Sequence, residues 1–144
     1  MKFISSTFNK ETGISIVVME HLGIQFEGIA RLHPDDANRA SEFAGCAFAE
    51  ARAAIKALKY ERKVAKEKAE QTRKFVKQCE CYKDWDPDSP TAHAAYRQMS
   101  LYIKKVNKLT DIINNMDFEL KRSIWDRDIT LKAFERNKAK KVNS

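Results

Sequence analysis

Only four glycines, three prolines and three cysteines occur among 144 residues, and each scarcity removes a class of chemistry. The glycines stand apart as Gly13, Gly23, Gly28 and Gly45, so no glycine-rich loop of the kind that cradles phosphates is present. Nucleophile-elbow and zincin patterns are missing as well. Cys46 lies far along the chain from Cys79 and Cys81, and an odd, dispersed set fits reduced thiols better than a disulfide framework. No segment reaches the ~20 apolar residues of a membrane span, and no N-terminal apolar run resembles a signal peptide. The expected location is the cytoplasm.

What the chain does have is a pair of long heptad runs that meet at a proline-bearing turn. Steps of four and three pick out Ala44, Phe48, Ala51, Ile55, Leu58, Arg62, Ala65, Ala69, Thr72, Val76 and Cys79. After the turn they pick out Ala95, Met99, Tyr102, Val106, Leu109, Ile113, Met116, Leu120, Ser123, Arg127 and Thr130. Two such seams of similar length predict an antiparallel helical hairpin. A helix of this length runs on the order of 65 Å at ~1.5 Å per residue, too long to bury its seam in a small globule. Each helix must therefore bury against its partner helix or another subunit, and a homo-oligomer, most simply a symmetric dimer, is expected.

Ahead of the helices, Ile14-Ser-Ile-Val-Val-Met-Glu20 and Ile24-Gln-Phe-Glu-Gly-Ile-Ala-Arg-Leu32 are β-branched, aromatic and alternating, with His21-Leu22-Gly23 as the turn. One face carries Ile24, Phe26, Ala30 and Leu32, with Gly28 among them where a helix can approach closely. The other face carries Gln25, Glu27, Ile29 and Arg31. A two-stranded hairpin alone is marginal, so it must lie on a helix or pair with another subunit's hairpin. The alanine-rich stretch from Phe43 to Ala51 suits packing beneath it. His33-Pro34-Asp35-Asp36 marks the first helix start and Ser89-Pro90 the second.

The expected fold is mainly α with a small β-hairpin, in one domain over 1–144. Its parts are an arm (1–12), a β-hairpin (13–33), a first long helix (34–83), a turn (84–89), a second long helix (90–137) and a basic, fraying tail (138–144). Arg62 interrupts its seam and, in a hairpin centred near Asp86, should face Thr110 and Asp111, with Asp111 as a plausible ion-pair partner.

The net charge of +7 and pI near 9.3 point to an anionic partner. Between Arg52 and Lys83 stand eleven basic residues against the four acids Glu61, Glu67, Glu70 and Glu80, an excess that matches the net charge of the whole chain. The same lysines equally describe a solvated helix face with i,i+4 pairs.

Few residues suggest catalysis. Asp84, Asp86 and Asp88 imitate the start of a calcium loop, but Ser89 stands where its glycine belongs and Ala95 where its bidentate Glu belongs. Cys79, Cys81 and His93 are one ligand short of a structural zinc site. His21, His33 and His93 show no evident Ser, Cys or carboxylate partner. The reading is a non-enzymatic protein without metal or cofactor. Its candidate nucleotide-binding residues form two groups: Tyr82, Trp85, Tyr96 and Arg97 around the turn, and Arg31 with Arg52 near the hairpin. Aromatic faces stack bases and guanidinium groups hold phosphates. Tyr82 and Trp85 would serve equally well as a plug for the end of the helical hairpin.

The stretch Gly13-Ile-Ser-Ile-Val-Val through Gly28-Ile-Ala-Arg-Leu-His-Pro-Asp-Asp, followed by Phe48-Ala-Glu-Ala-Arg-Ala-Ala-Ile-Lys, resembles small bacteriophage proteins of Gram-positive hosts. The order of a hairpin and two long helices also resembles the first-described anti-Thoeris sponge family. The resemblance spans most of the chain and implies an oligomer that sequesters cyclic ADP-ribose signals without cleaving them, through arginines and aromatics at oligomer-dependent pockets. It assigns no particular residue here. Two functional readings follow: capture of an anionic cyclic nucleotide signal, blunting a host defence, or binding of nucleic acid or a defence nuclease such as a CRISPR effector through the lysine-rich helix. A purely structural coiled-coil adaptor is the third.

Overall fold

The computed structural model describes the backbone of residues 1–31 and 39–142, and the side chains of 1–31 and 42–124. Three strands, β1 (Lys2–Asn9), β2 (Ile14–His21) and β3 (Ile24–Arg31), precede helices α1 (Arg39–Glu80) and α2 (Pro90–Val142). The strands form one antiparallel sheet in the order β1-β2-β3. This is a mainly α chain with a small β part, as the periodicities predict.

The segment expected to be a loose arm is instead a full strand. A bulge between Phe3 and Ser5 breaks its period of two, so that Phe3 pairs with Met19 and Phe8 with Ser15, both opposite inward-facing residues. Their odd spacing in sequence hides a shared face. Asn9 Oδ1 closes the following turn by accepting from the amides of Glu11 (2.9 Å) and Thr12 (3.4 Å), and the Gly13 amide donates to the Asn9 carbonyl at 2.8 Å. The second turn, expected at His21-Leu22-Gly23, has both central residues left-handed: Leu22 at φ 54° and Gly23 at φ 75°.

The inner face of the sheet presents Ser15, Val17 and Met19 from β2 and Phe26, Gly28 and Ala30 from β3, paired directly across the strands. Val17, Met19 and Ala30 form a core with Ala49 and Ala53 of α1, and Phe48 packs against it. Gly28 is the reason the contact is so close. A Cβ there would overlap the Ala49 carbonyl oxygen and come within 2.5 Å of the Ala53 amide nitrogen. Farther along, the rings of Phe26 and Tyr60 meet at 5.6 Å between centroids.

The opposite face of α1 packs on α2, so α1 is the middle layer. Ile55, Ala65 and Val76 of the first seam are buried, as are Ala95, Leu109 and Ile113 of the second. Register follows the expected one: Arg62 reaches Thr110, with Nη1 to Oγ1 at 3.5 Å. Its partner is that hydroxyl and not the Asp111 carboxylate, which lies exposed one residue farther round α2.

Helix boundaries shift slightly from expectation. α1 ends at Glu80 rather than 83, since the amides of Cys81 and Tyr82 turn back to the carbonyls of Gln78 and Cys79 in tighter i→i+3 bonds. Ser89 caps α2 as expected, its Oγ accepting from the Ala92 amide at 3.2 Å. α2 runs on to Val142 rather than ending near 137, in keeping with alanine and lysine as good helix formers. The proposed α1 entry at His33–Asp36, together with Leu32, lies outside the described residues.

Two substitutions test these contacts. Gly28→Ala is expected to cost about 1–3 kcal/mol by overpacking, read as a lower urea midpoint. Leu22→Asn is expected to stabilise by up to about 1 kcal/mol, because asparagine tolerates the left-handed conformation that a branched apolar residue resists. An unchanged Gly28→Ala midpoint would contradict the close sheet–helix approach.

Candidate functional site

The candidate residues lie in two separate places. Arg52 is on α1 beside the sheet and Tyr96 is on α2 at the turn end, where it meets Glu80. Arg52 and Glu80 are on the order of 40 Å apart along the helix axis. Nothing in one chain brings the two groups together.

Arg52 is already engaged. Its Nη1 donates to the Ile29 carbonyl at 2.6 Å, and Lys56 Nζ donates to the Glu27 carbonyl at 2.7 Å, one helical turn on. Both side chains reach round the edge of β3 and satisfy its outward carbonyls. Arg31 is exposed at the end of the same strand.

At the turn, Tyr96 Oη donates to Glu80 Oε1 at 2.9 Å, fastening the start of α2 to the end of α1. That bond, followed by burial and the Glu80 charge, raises the Tyr96 hydroxyl above the ordinary phenol range, against a small opposing effect of the Trp85 indole. Trp85 is half-buried, and its Nε1 is buried without a well-formed hydrogen bond. Of the two residues read as a plug, Trp85 is thus partly covered while Tyr82 is 71% exposed. Arg97 is exposed beside them.

A different face concentrates the positive charge. Arg52, Lys56, Lys59, Lys63, Lys66, Arg73 and Lys77 follow one another at intervals of three and four, with Glu70 filling the single gap, so they line one flank of α1. On that flank a groove of about 240 Å³ opens between the helices, lined by Lys66, Ala69, Glu70 and Arg73 of α1 and Met99, Ile103, Val106 and Asn107 of α2. Its floor is apolar and its α1 wall is charged. Arg73 donates to Glu70 through Nε at 3.0 Å and Nη2 at 2.6 Å, which holds the Glu70 carboxyl below its ordinary range. Heptad spacing alone could have exposed this ladder, since its members sit just outside the seam. The groove itself depended on which α2 residues came opposite.

A second feature escaped sequence reasoning because its members are far apart in the chain. His21, expected to lack a carboxylate partner, has one: its Nε2 donates to Glu61 Oε2 at 2.7 Å, and Lys105 Nζ lies 3.4 Å from Glu61 Oε1. One carboxylate thus joins the sheet, α1 and α2. The His21 hydrogen bond is the main cause holding the Glu61 carboxyl below its ordinary range, with burial opposing it and Lys105 assisting.

Among the described residues, no group of three or more His, Cys, Asp and Glu is placed to hold a metal ion, and no helix is long and apolar enough to cross a membrane. No family model, curated protein or solved structure matches the chain.

The three-layer node makes a pH prediction. A carboxyl whose folded pKa is depressed contributes stability that is complete above its unfolded pKa and lost as pH falls through the folded value. Glu61→Gln is expected to lower stability by roughly 1–2 kcal/mol near neutral pH. The two urea midpoints should converge as the pH falls through the folded pKa of Glu61. A gap that persists unchanged into strong acid would show that the Glu61 charge is not its source.

Proposed function

We propose that this protein is a non-enzymatic binding protein that captures an anionic nucleotide, with the groove between α1 and α2 as its site. The observation that carries this reading is the combination of an apolar floor with a cationic wall. Ala69, Met99, Ile103 and Val106 offer a base an apolar surface, Asn107 offers its edge an amide, and Lys66 and Arg73 stand where phosphate charge would lie. At about 240 Å³ the groove is smaller than a typical enclosed ligand pocket of ~300–1,000 Å³. A base would enter it and the phosphates would stay along the ladder. Together with the resemblance to a sponge family, this favours a small cyclic nucleotide signal as ligand, held without turnover so that a host defence loses its messenger.

A second reading rests on the length of the ladder. From Arg52 to Lys77 it extends on the order of 37 Å, more than one nucleotide occupies. A nucleic-acid strand, or the nucleic-acid path of a defence nuclease, would use the whole flank by counterion release.

Titration calorimetry with cyclic ADP-ribose isomers, cyclic dinucleotides and a short single-stranded DNA, at low and high salt, separates the two. The first reading expects salt-tolerant binding of one small nucleotide, weakened at least tenfold by Arg73→Ala. Glu70→Gln should strengthen it, because the carboxylate competes for the same guanidinium, and Arg97→Ala should leave it unchanged. Binding of the oligonucleotide alone, lost in salt and weakened by Lys63→Ala and Lys77→Ala, would replace the first reading with the second. Loss of binding in Arg97→Ala with Arg73→Ala intact would move the site to the turn.

A further inference from the structure

The two edges of the sheet differ. Along β3, Lys56 and Arg52 occupy the outward carbonyls of Glu27 and Ile29. In an antiparallel sheet the amide and carbonyl of one residue point to the same neighbour, and directly opposite residues match. With Glu27 and Ile29 turned outward, Val18 and Ile16 opposite them turn toward β1, and Ser5 and Thr7 turn back to meet them. The outward groups of β1 beyond its bulge are therefore those of Ser6 and Phe8. Among the described residues, no side chain bonds to them.

The helix continues beneath the position next to this open edge. Gly28 of β3 lies over Ala49 and Ala53, while Ser6 of β1 lies by Cys46, with Oγ to Sγ at 3.4 Å. Strands spaced ~4.8 Å apart thus step back along α1, and one more strand falls about three residues before Cys46. That residue is Phe43, which is 80% exposed. Phe3, half-exposed at 50%, borders the same edge. An aromatic side chain stands where a fourth strand would cover it.

We propose that β1 of a second copy supplies that strand, joining two sheets into one of six strands across a two-fold axis at Thr7. β1 suits the role because Phe3–Asn9 carries no charge and no proline. Centred on Thr7, the outward groups of Ser6 in each copy meet those of Phe8 in the other, Thr7 lies against its own counterpart, and Lys2 falls opposite Thr12. Centring on Ser6 would set Lys2 against Lys10 and oppose like charges, which disfavours that register. A separate peptide would cover one Phe43 and leave each further copy with an open edge. A two-fold pair covers both and leaves none. Such an edge contact is small for a stable interface, so the dimer should dissociate on dilution.

Sedimentation velocity over a concentration series tests this, with each variant's circular dichroism checked for native folding. The wild-type chain is expected to pass from monomer to dimer as concentration rises. Phe43→Glu and Ser6→Pro should each raise the dissociation constant at least tenfold; Ser6→Pro removes an outward amide, together with the hydroxyl contact to Cys46 that Ser6→Ala removes alone as a control. In a background with Cys46, Cys79 and Cys81 changed to serine, Thr7→Cys should form an intermolecular disulfide on oxidation, because a non-hydrogen-bonded pair sets its Cα atoms ~4.5 Å apart, within disulfide range. Ser5→Cys should not, since its counterpart would be Asn9. If Ser6→Pro does not fold, the other variants decide. A wild-type monomer throughout, a dimer indifferent to Phe43→Glu, or equal cross-linking of Ser5→Cys and Thr7→Cys would overturn the proposal.

Discussion

The structure depends on burying α1 on two opposite faces at once. A helix between a sheet and a second helix has no broad polar face over the doubly covered stretch, and its neighbours can approach only if side chains there are small. Ala49 and Ala53 meet that requirement toward the sheet, and Gly28 removes the one Cβ that would otherwise strike the helix backbone. Toward α2, Ile55 and Ala65 continue the burial. A three-stranded sheet of this size gains its stability from that contact, since it has little apolar surface to bury elsewhere.

With the contact made, the polar elements take their positions. The sheet sits low enough on α1 for Arg52 and Lys56 to reach round its edge, converting two cations of the basic flank into a seal on β3. It also brings His21 within 2.7 Å of Glu61, whose other oxygen faces Lys105 of α2. Beyond them the basic ladder continues along the hairpin toward the turn, where the interhelical groove opens and Arg73 is paired with Glu70. Folding thus divides the cations of one helix into a pair tied to the sheet edge and a set that flanks the groove.

The elements most legible in the chain were those whose signal is local. Heptad spacing marked both seams and their register to within one residue, since Arg62 meets Thr110. Alternation marked β2 and β3, and Ser89-Pro90 marked the start of α2. β1 was not legible because a single bulge moves Phe3 and Phe8 onto one face despite their odd separation. The candidate site was less legible. Tyr96 and Trp85 do converge at the turn, but Tyr96 is tied to Glu80, and Arg52 is tied to β3. A list of arginines and aromatics does not reveal which of them the fold has already engaged.

By itself, the sequence determined the helical hairpin and the position of the positive charge, because each arises from residues three or four apart; the register followed once the turn near Asp86 fixed the point where the chain folds back. Tertiary structure alone decided that His21, Glu61 and Lys105 share one carboxylate, that Lys66 and Arg73 face Met99, Ile103 and Asn107 across a groove, and that β1 is an outer strand of the sheet, with Phe3 half-exposed on it. These depend on the angle and height at which the sheet and α2 settle on α1. Gly28 and the alanine-rich stretch mark the contact in the sequence, but only packing sets its angle and height.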